Sequence, residues 1–384
     1  MKHLFIFAKS TTRGPLLALI CWIAAVPTAR ADLTVLPGVF SYLNQNNRFL
    51  SGDGKVAVLC KDENGALTTR WTAETGAEKL PLPPGGNYWT GFYCHLSTDG
   101  SEIVGLGGMN QFGVYYPWIW RQNHGTRVYS AHGDEQLIGI SSDGDYIARI
   151  VQTSPEKVYQ DFTTSGTTAL WAEGSGWMFN GTSYDNRVLF GRTKATNYRP
   201  CYWSMSGQQV IATSILKTPA ECTLSGKDGS ILLGQIHTGQ FLPNDGPEAM
   251  ETFRWNTITG QIEYFFPPHF LTAEPSFISP NGKMISIAGY YNDTMHFKYM
   301  VYDSTTAGEA GLGMQEVDTW LIAHQYIVPA EAQGRSSFEI ISMSDDLSVV
   351  AGNFIDAGGK LRGFLAKKLR LIPEPEPTPV FGRQ

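Results

Sequence analysis

Carboxylates gather in two short stretches of this 384-residue chain: Asp245, Glu248 and Glu251, and further back Glu156 and Asp161. Two carboxyls about 5 to 10 Å apart across a cleft are what glycoside hydrolysis requires, and carboxylate clusters also take hard divalent cations. Asp245 and Glu248 stand three apart on one segment, so a facing partner has to come from elsewhere, and solvated loop charge is the plainer reading. A second set is aromatic: Tyr88 and Trp89, with Phe112 and Tyr115, could form a ligand surface on loops. Histidines 95, 124, 132, 237, 269, 296 and 324 never fall at i, i+2 or i, i+4, and there is no CxxC, so no metal site is expected. A Gly-x-Ser-x-Gly elbow, a phosphate loop and a dinucleotide fingerprint are likewise missing, and no cofactor is expected.

What carries these residues is a repeated turn. Ser-x-Asp/Asn-Gly, or a close variant, followed by an alternating strand begins at Ser51, Ser97, Ser141, Ser183, Ser225, Ser279 and Ser344, at steps of 46, 44, 42, 42, 54 and 65 residues. Such steps suit propeller blades of about 40 to 50 residues. The turn invites comparison with the Asp box of sialidases, but Gly follows Asp directly and no Thr-Trp closes the motif. Here Gly supplies positive φ and the Ser and Asp side chains satisfy loop amides. Each turn is followed by an aromatic: Trp71, Trp120, Trp171, Trp203, Trp255, Tyr302 and Phe364. Recurrence at one place in every unit argues for core packing rather than sugar platforms.

The expected unit is therefore strand A, the turn, strand B, a B–C loop of variable length, strand C with the aromatic, a glycine turn and strand D. Seven turns with only six following D strands leave one strand missing. The segment Leu33–Leu36 is expected to supply it by pairing near 361–367, closing the ring and removing its free edges. The fold class is thus all-β, a seven-bladed propeller over residues 32–370. One short helix is expected near 314–325, on the outside of blade six in place of a regular D strand. Length variation concentrates at 83–92, 152–168 and 236–252, on the face of the B–C and D–A loops.

Residues 1–31 carry basic residues, an apolar run from Leu16 to Val26 and the site Ala29-Arg30-Ala31, the pattern of a secretory signal peptide. The apolar run is too short to span a bilayer, so a secreted or periplasmic, cell-surface location without a membrane span in the mature chain is expected. The net charge of −6 becomes −10 once the four basic residues of the leader are removed, which disfavours nucleic acid as a partner. Cys60, Cys94, Cys201 and Cys222 remain; an even count in an exported chain permits two disulfides. Cys94 and Cys222 share one place in the repeat, three before the Ser, which suggests Cys60 with Cys94 and Cys201 with Cys222; four buried free thiols are the other reading. Residues 371–384 are proline-rich and expected to lie outside the fold.

These features resemble the HAF-type extracellular repeat proteins of bacteria over about Leu33 to Lys368. The last unit carries the resemblance best, in Gly313-Met314, Trp320-Leu321, the turn at Ser344, Val350-Ala351-Gly352 and Phe364. The His-Ala-Phe triplet that names the family is replaced here, for example by Tyr116-Pro117-Trp118. The tail Pro373-Glu374-Pro375 is similar to the opening of bacterial PEP-CTERM sorting signals, without their hydrophobic helix. The resemblance implies secretion and a propeller, and no particular reaction. The functional expectation is a monomeric, non-catalytic propeller that binds a protein or glycan through its loop face. The alternative is a polysaccharide hydrolase or lyase on the same scaffold.

Overall fold

The computed structural model describes residues 34–40, 48–62, 68–81, 93–109, 115–128, 135–151, 155–162, 165–174, 176–206, 208–215, 217, 219–242, 248–267, 269–290, 297–305, 313–326 and 338–368. The repeated turn closes for a local reason. The Ser hydroxyl donates to the Asp carboxylate in Ser51–Asp53 (2.8 Å), Ser97–Asp99 (2.7 Å), Ser183–Asp185 (2.8 Å) and Ser344–Asp346 (2.7 Å). The same carboxylate accepts an amide two residues on, from Lys55, Ser101, Arg187 or Ser348. The fourth turn residue takes positive φ: Gly54, Gly100, Gly144 and Gly282 lie at 68° to 80°, and Asn186 and Leu347 are held there without glycine's freedom.

Each turn joins an inner strand A to strand B, and seven antiparallel sheets follow in order. Blade 1 has Val56–Leu59, Thr69–Thr72 and Gly76–Lys79, with Leu50 bridged to Ala57 on its inner side. Blade 2 is Tyr93–Leu96, Glu102–Met109, Tyr115–Arg121 and Gly125–Val128. Blade 3 is Glu135–Ile140, Tyr146–Val151, Glu156–Phe162 and Thr168–Gly174. Blade 4 is Trp177–Thr182, Val188–Thr193, Pro200–Ser204 and Gln209–Ile211. Blade 5 is Ala220–Ser225, Ile231–Phe241, Glu248–Asn256 and Ile262–Phe265. Blade 6 is Glu274–Ile278, Met284–Tyr290, Phe297–Asp303 and Met314–Glu316.

Blade 7 is Glu339–Met343, Val349–Ile355 and Leu361–Lys367, and its fourth strand is Thr34–Leu36. The register is Thr34 opposite Leu365, Val35 opposite Phe364 and Leu36 opposite Gly363, so the N-terminal strand closes the ring. From there Gly38–Val39 pairs with Lys61–Asp62, and the Asn353 side-chain amide grips the Phe40 backbone from both sides, at 3.0 and 3.1 Å. Residues 34–40 are thereby tied into blades 7 and 1.

The aromatic landmarks fill the spaces between sheets: Trp71, Trp120, Trp171, Trp203, Trp255 and Phe364 are all buried. Six of the seven landmarks sit on strand C; blade 3 differs. There Glu156–Phe162 is strand C and Trp171 lies on the outer strand, with its indole N–H on the Ser204 carbonyl of blade 4 at 3.1 Å. The long interval after Ser141 therefore holds an extra strand, not a long loop, and Gly176 leads into blade 4. The helix of blade 6 also differs from expectation. Met314–Glu316 keeps a short D strand against Met300–Tyr302, and only Val317–Ala323 is helical, burying Trp320 and Leu321. No helix among the described residues is long and apolar enough to cross a membrane.

At the turn end of the axis the blades are linked by their backbones. Gly52 N–H donates to Thr98 O (2.7 Å), Thr98 to Ser142 (2.8 Å), Lys227 to Pro280 (2.7 Å) and Asp345 back to Gly52 (2.8 Å). Inside this ring Asp345 takes Arg48 of blade 1 at 3.0 Å and Lys227 of blade 5, while Arg48 lies over the Tyr184 ring. Arg48 is only 3 % exposed, so its charge is tolerable there because it is paired. The turn glycines complete the seal: a Cβ on Gly100 would sit 2.6 Å from Val56 Cβ of blade 1, and one on Gly282 2.7 Å from Ile231 Cβ of blade 5.

Two predictions follow from this packing. Gly100→Ala combines a disfavoured φ of +69° with that overlap, and is expected to lower the unfolding free energy by about 2 to 4 kcal/mol in chemical denaturation at unchanged m. The second concerns Glu339, which opens the inner strand of blade 7 and receives the Asn353 amide at 3.4 Å. Burial pushes its carboxyl from 4.5 up to about 7, partly offset by hydrogen bonds from Asn353 and Tyr299. The folded state therefore binds this proton more tightly than the unfolded one, so its contribution is complete below pH 4.5 and is lost as pH rises through about 7. Glu339→Gln should remove this component, gaining up to about 3 kcal/mol over wild type at alkaline pH and little at acid pH.

Candidate functional site

With the turn end closed, the opposite mouth is where side chains from several blades meet water. The densest polar group there lies between blades 4 and 5. Strand A of blade 5 begins Ala220-Glu221-Cys222; because Ala220 and Cys222 are buried in the sheet, Glu221 between them projects to the other side, partly exposed. Strand B of the same blade runs on to Phe241, placing Gln235 opposite Glu221 and carrying His237 past it. Strand C returns from Glu248. Blade 4 supplies Asn180 from its strand A, Arg192 from its strand B and Tyr198 from the loop between Thr193 and Pro200.

Glu221 is the hub. Its carboxylate accepts Asn180 at 3.1 Å and Gln235 at 3.0 Å, pairs with Arg192 Nε at 3.0 Å and meets His237 Nε2 at 3.4 Å. The other nitrogen, His237 Nδ1, lies 2.9 Å from Glu248, whose second oxygen accepts the Gly239 amide at 2.8 Å. Arg192 stacks 3.9 Å above the Tyr198 ring, which meets His237 edge-on at 5.7 Å. Burial alone would raise the Glu221 carboxyl, but His237 and Arg192 outweigh it and hold it below its ordinary value. The same opposition, burial against the His237 and Gly239 hydrogen bonds, leaves Glu248 lowered. His237 is raised, by the hydrogen bond to Glu221 first and then, against burial, by Glu248.

An imidazole with a carboxylate on each nitrogen can donate to both only when doubly protonated. The two carboxylates flank opposite edges of the ring, so one cation could not reach both together with a ring nitrogen. Among the described residues no group of three or more His, Cys, Asp or Glu is placed to hold a metal ion. What the arrangement offers a ligand is an array of fixed hydrogen-bonding groups: two carboxylates, two amides, a guanidinium and a phenol.

Of the residues singled out in the sequence, Glu248 stands in this group, although on a strand rather than in a loop: the 236–252 segment is mostly a hairpin. Asp245, Tyr88, Trp89 and Phe112 lie outside the described residues, and Tyr115 opens strand C of blade 2 opposite Met109. Glu156 and Asp161 are strand residues bound to Lys194 and Arg149, which corrects their reading as loop charge. The four cysteines are buried free thiols. Glu221, Arg192 and Asn180 were not foreseen; the signal available was a charged residue breaking the apolar inner strand of blade 5.

No family model matches this chain, and no curated protein matches its sequence. Solved structures are similar in fold. An oligogalacturonate lyase in complex with manganese has a TM-score of 0.53 at 12% identity, over 88% of this chain and 91% of that one. The oligogalacturonate lyase of Vibrio parahaemolyticus has 0.54 at 10%, over 89% and 94%. TolB from Acinetobacter baumannii has 0.45 at 13%, over 79% and 77%. At such identities the likeness concerns the propeller alone.

Proposed function

We propose that this chain is an exported, non-catalytic propeller that binds a glycan on its B–C and D–A loop face, at the Glu221 group of blades 4 and 5. The observation that carries this reading is the asymmetry of the axis. One end is sealed by the turn ring and the Arg48–Asp345–Lys227 pairs, while the other presents amides, carboxylates and Tyr198. Vicinal hydroxyls are met by carboxylate and amide groups of this kind, fixed in place by a rigid scaffold.

A glycan array probed with the mature chain should show retained ligands, and both Asn180→Ala and Glu221→Gln should weaken them at least about tenfold, or about 1.4 kcal/mol. Oligogalacturonates belong in that panel, since two propellers of similar fold are named lyases for them. Accumulation of an unsaturated product would overturn the non-catalytic reading, and binding that neither substitution affects would move the site elsewhere.

Export is supported by the leader pattern of residues 1–31. It bears on the thiols. Cys94 is hydrogen-bonded to Cys60 between blades 2 and 1, and Cys222 of blade 5 is raised by its burial and by Cys201 of blade 4. In an oxidising compartment each pair would close into a disulfide by exchange with a disulfide donor, before burial suppresses the thiolate. Alkylation of exported, unfolded, unreduced protein should then label none of the four cysteines, with a mature N-terminus at Asp32. Four labelled thiols would exclude the disulfides.

A further inference from the structure

The long hairpin of blade 5 is broken at one point. His237 still pairs with Met250, but the next pair is Phe241 with Glu248, so strand B spends three residues where strand C spends one. Gly239 sits at φ +72° within this bulge, and Phe241 opposite Glu248 is the last described pair of the ladder. Side chains bridge the break instead: Thr238 Oγ1 donates to the Ala249 carbonyl at 2.7 Å, and Glu248 reaches back to Gly239 N–H and His237 Nδ1. The tip carries Phe241, 73 % exposed beside the polar group.

We propose that His237 is a proton-operated latch: doubly protonated, it ties Glu248 on strand C to Glu221 on the inner strand, and loss of one proton breaks that tie and loosens the 238–241 end of strand B. A neutral ring keeps one N–H and must give up either Glu248 or Glu221. Every packed element contributes to the balance at this ring. Glu221 faces it from strand A, with Arg192 of blade 4 sharing that carboxylate; Glu248 faces it from strand C. Tyr198 meets it edge-on from blade 4, Gln235 precedes it on its own strand, and the Glu274 carboxyl of blade 6 is within electrostatic reach. Two carboxylates nearest the ring against one guanidinium already committed to Glu221 favour the cation, in line with the raised His237 pKa. The latch rests on the loop-face reading only for its consequence: Phe241 and Glu248 would be fixed at the ligand site at acid pH and mobile at alkaline pH.

Amide hydrogen exchange on the unliganded full chain, corrected for intrinsic rates, tests this directly. Between about pH 6 and about pH 9, on either side of a raised imidazole value, protection of Gly239 and the neighbouring 238–241 amides should fall at least tenfold, while inner strands of blades 2 and 5 stay unchanged. His237→Gln should show weak, pH-independent protection at the tip. Ring-proton NMR of wild-type His237 provides a second measurement that does not depend on the fold of that variant: its midpoint should lie above 6.5 and move down in Glu221→Gln. Equal tip protection at both pH values, or a wild-type pH dependence retained in His237→Gln, would overturn the latch. Neither result touches glycan binding, which stands or falls on the array.

Discussion

Seven sheets can stand around an axis only if something holds their inner edges at a fixed spacing, and here that is the ring of A–B turns. Six of the turns are fixed locally by a Ser hydroxyl on the Asp or Asn two residues on and by a left-handed fourth residue. Most are also bonded to a neighbouring turn through the backbone one or two residues after Ser. Asp345 donating to Gly52 joins the last turn to the first, and Thr34–Leu36 completes the outer edge of the same blade 7. Pro280 lacks an N–H, so the step out of blade 6 cannot use this bond, and that unit is also the one that carries the helix. A ring closed at its narrow end leaves the opposite loops free to differ in length without disturbing the sheets.

The same constraint decides where charge can be buried. In the sealed end Arg48 is removed from water, which is affordable because Asp345, held by its turn, stands 3.0 Å away, and Lys227 joins from a blade across the ring. Asp345 is shared by both cations, so its removal would leave the buried Arg48 charge unpaired, and the three act as a pin across the axis. At the open mouth the Glu221 group follows the same rule with a different outcome. It is only partly buried, each carboxylate is matched, and a histidine takes the place where a permanent cation would have made the network insensitive to pH.

Much of the architecture was legible before any coordinates: the number of blades, the turn chemistry, the aromatic packing and the closing strand all repeat or complement one another along the chain. They are legible because they depend on hydrogen bonds and φ values within a few residues, which residue type and spacing encode directly. Blade 3 shows the limit. Trp171 lies on strand D, while the neighbouring strand C carries Tyr159, with Arg149 5.0 Å from its ring, and the spacing of aromatics alone cannot separate a long loop from a further strand.

The candidate site belongs to the other category. Glu248 could be singled out as a carboxylate, but its partner His237 lies across a bulge, and Glu221, Asn180 and Arg192 come from strands of two blades. Likewise Arg48 and Asp345 are 297 residues apart. By itself the sequence determined a ring of seven like units and the hand of each turn, since these are local. Which side chains face one another was decided only by the tertiary structure, because it depends on the rotation and stagger accumulated from blade to blade, and those arise from the packing of whole sheets.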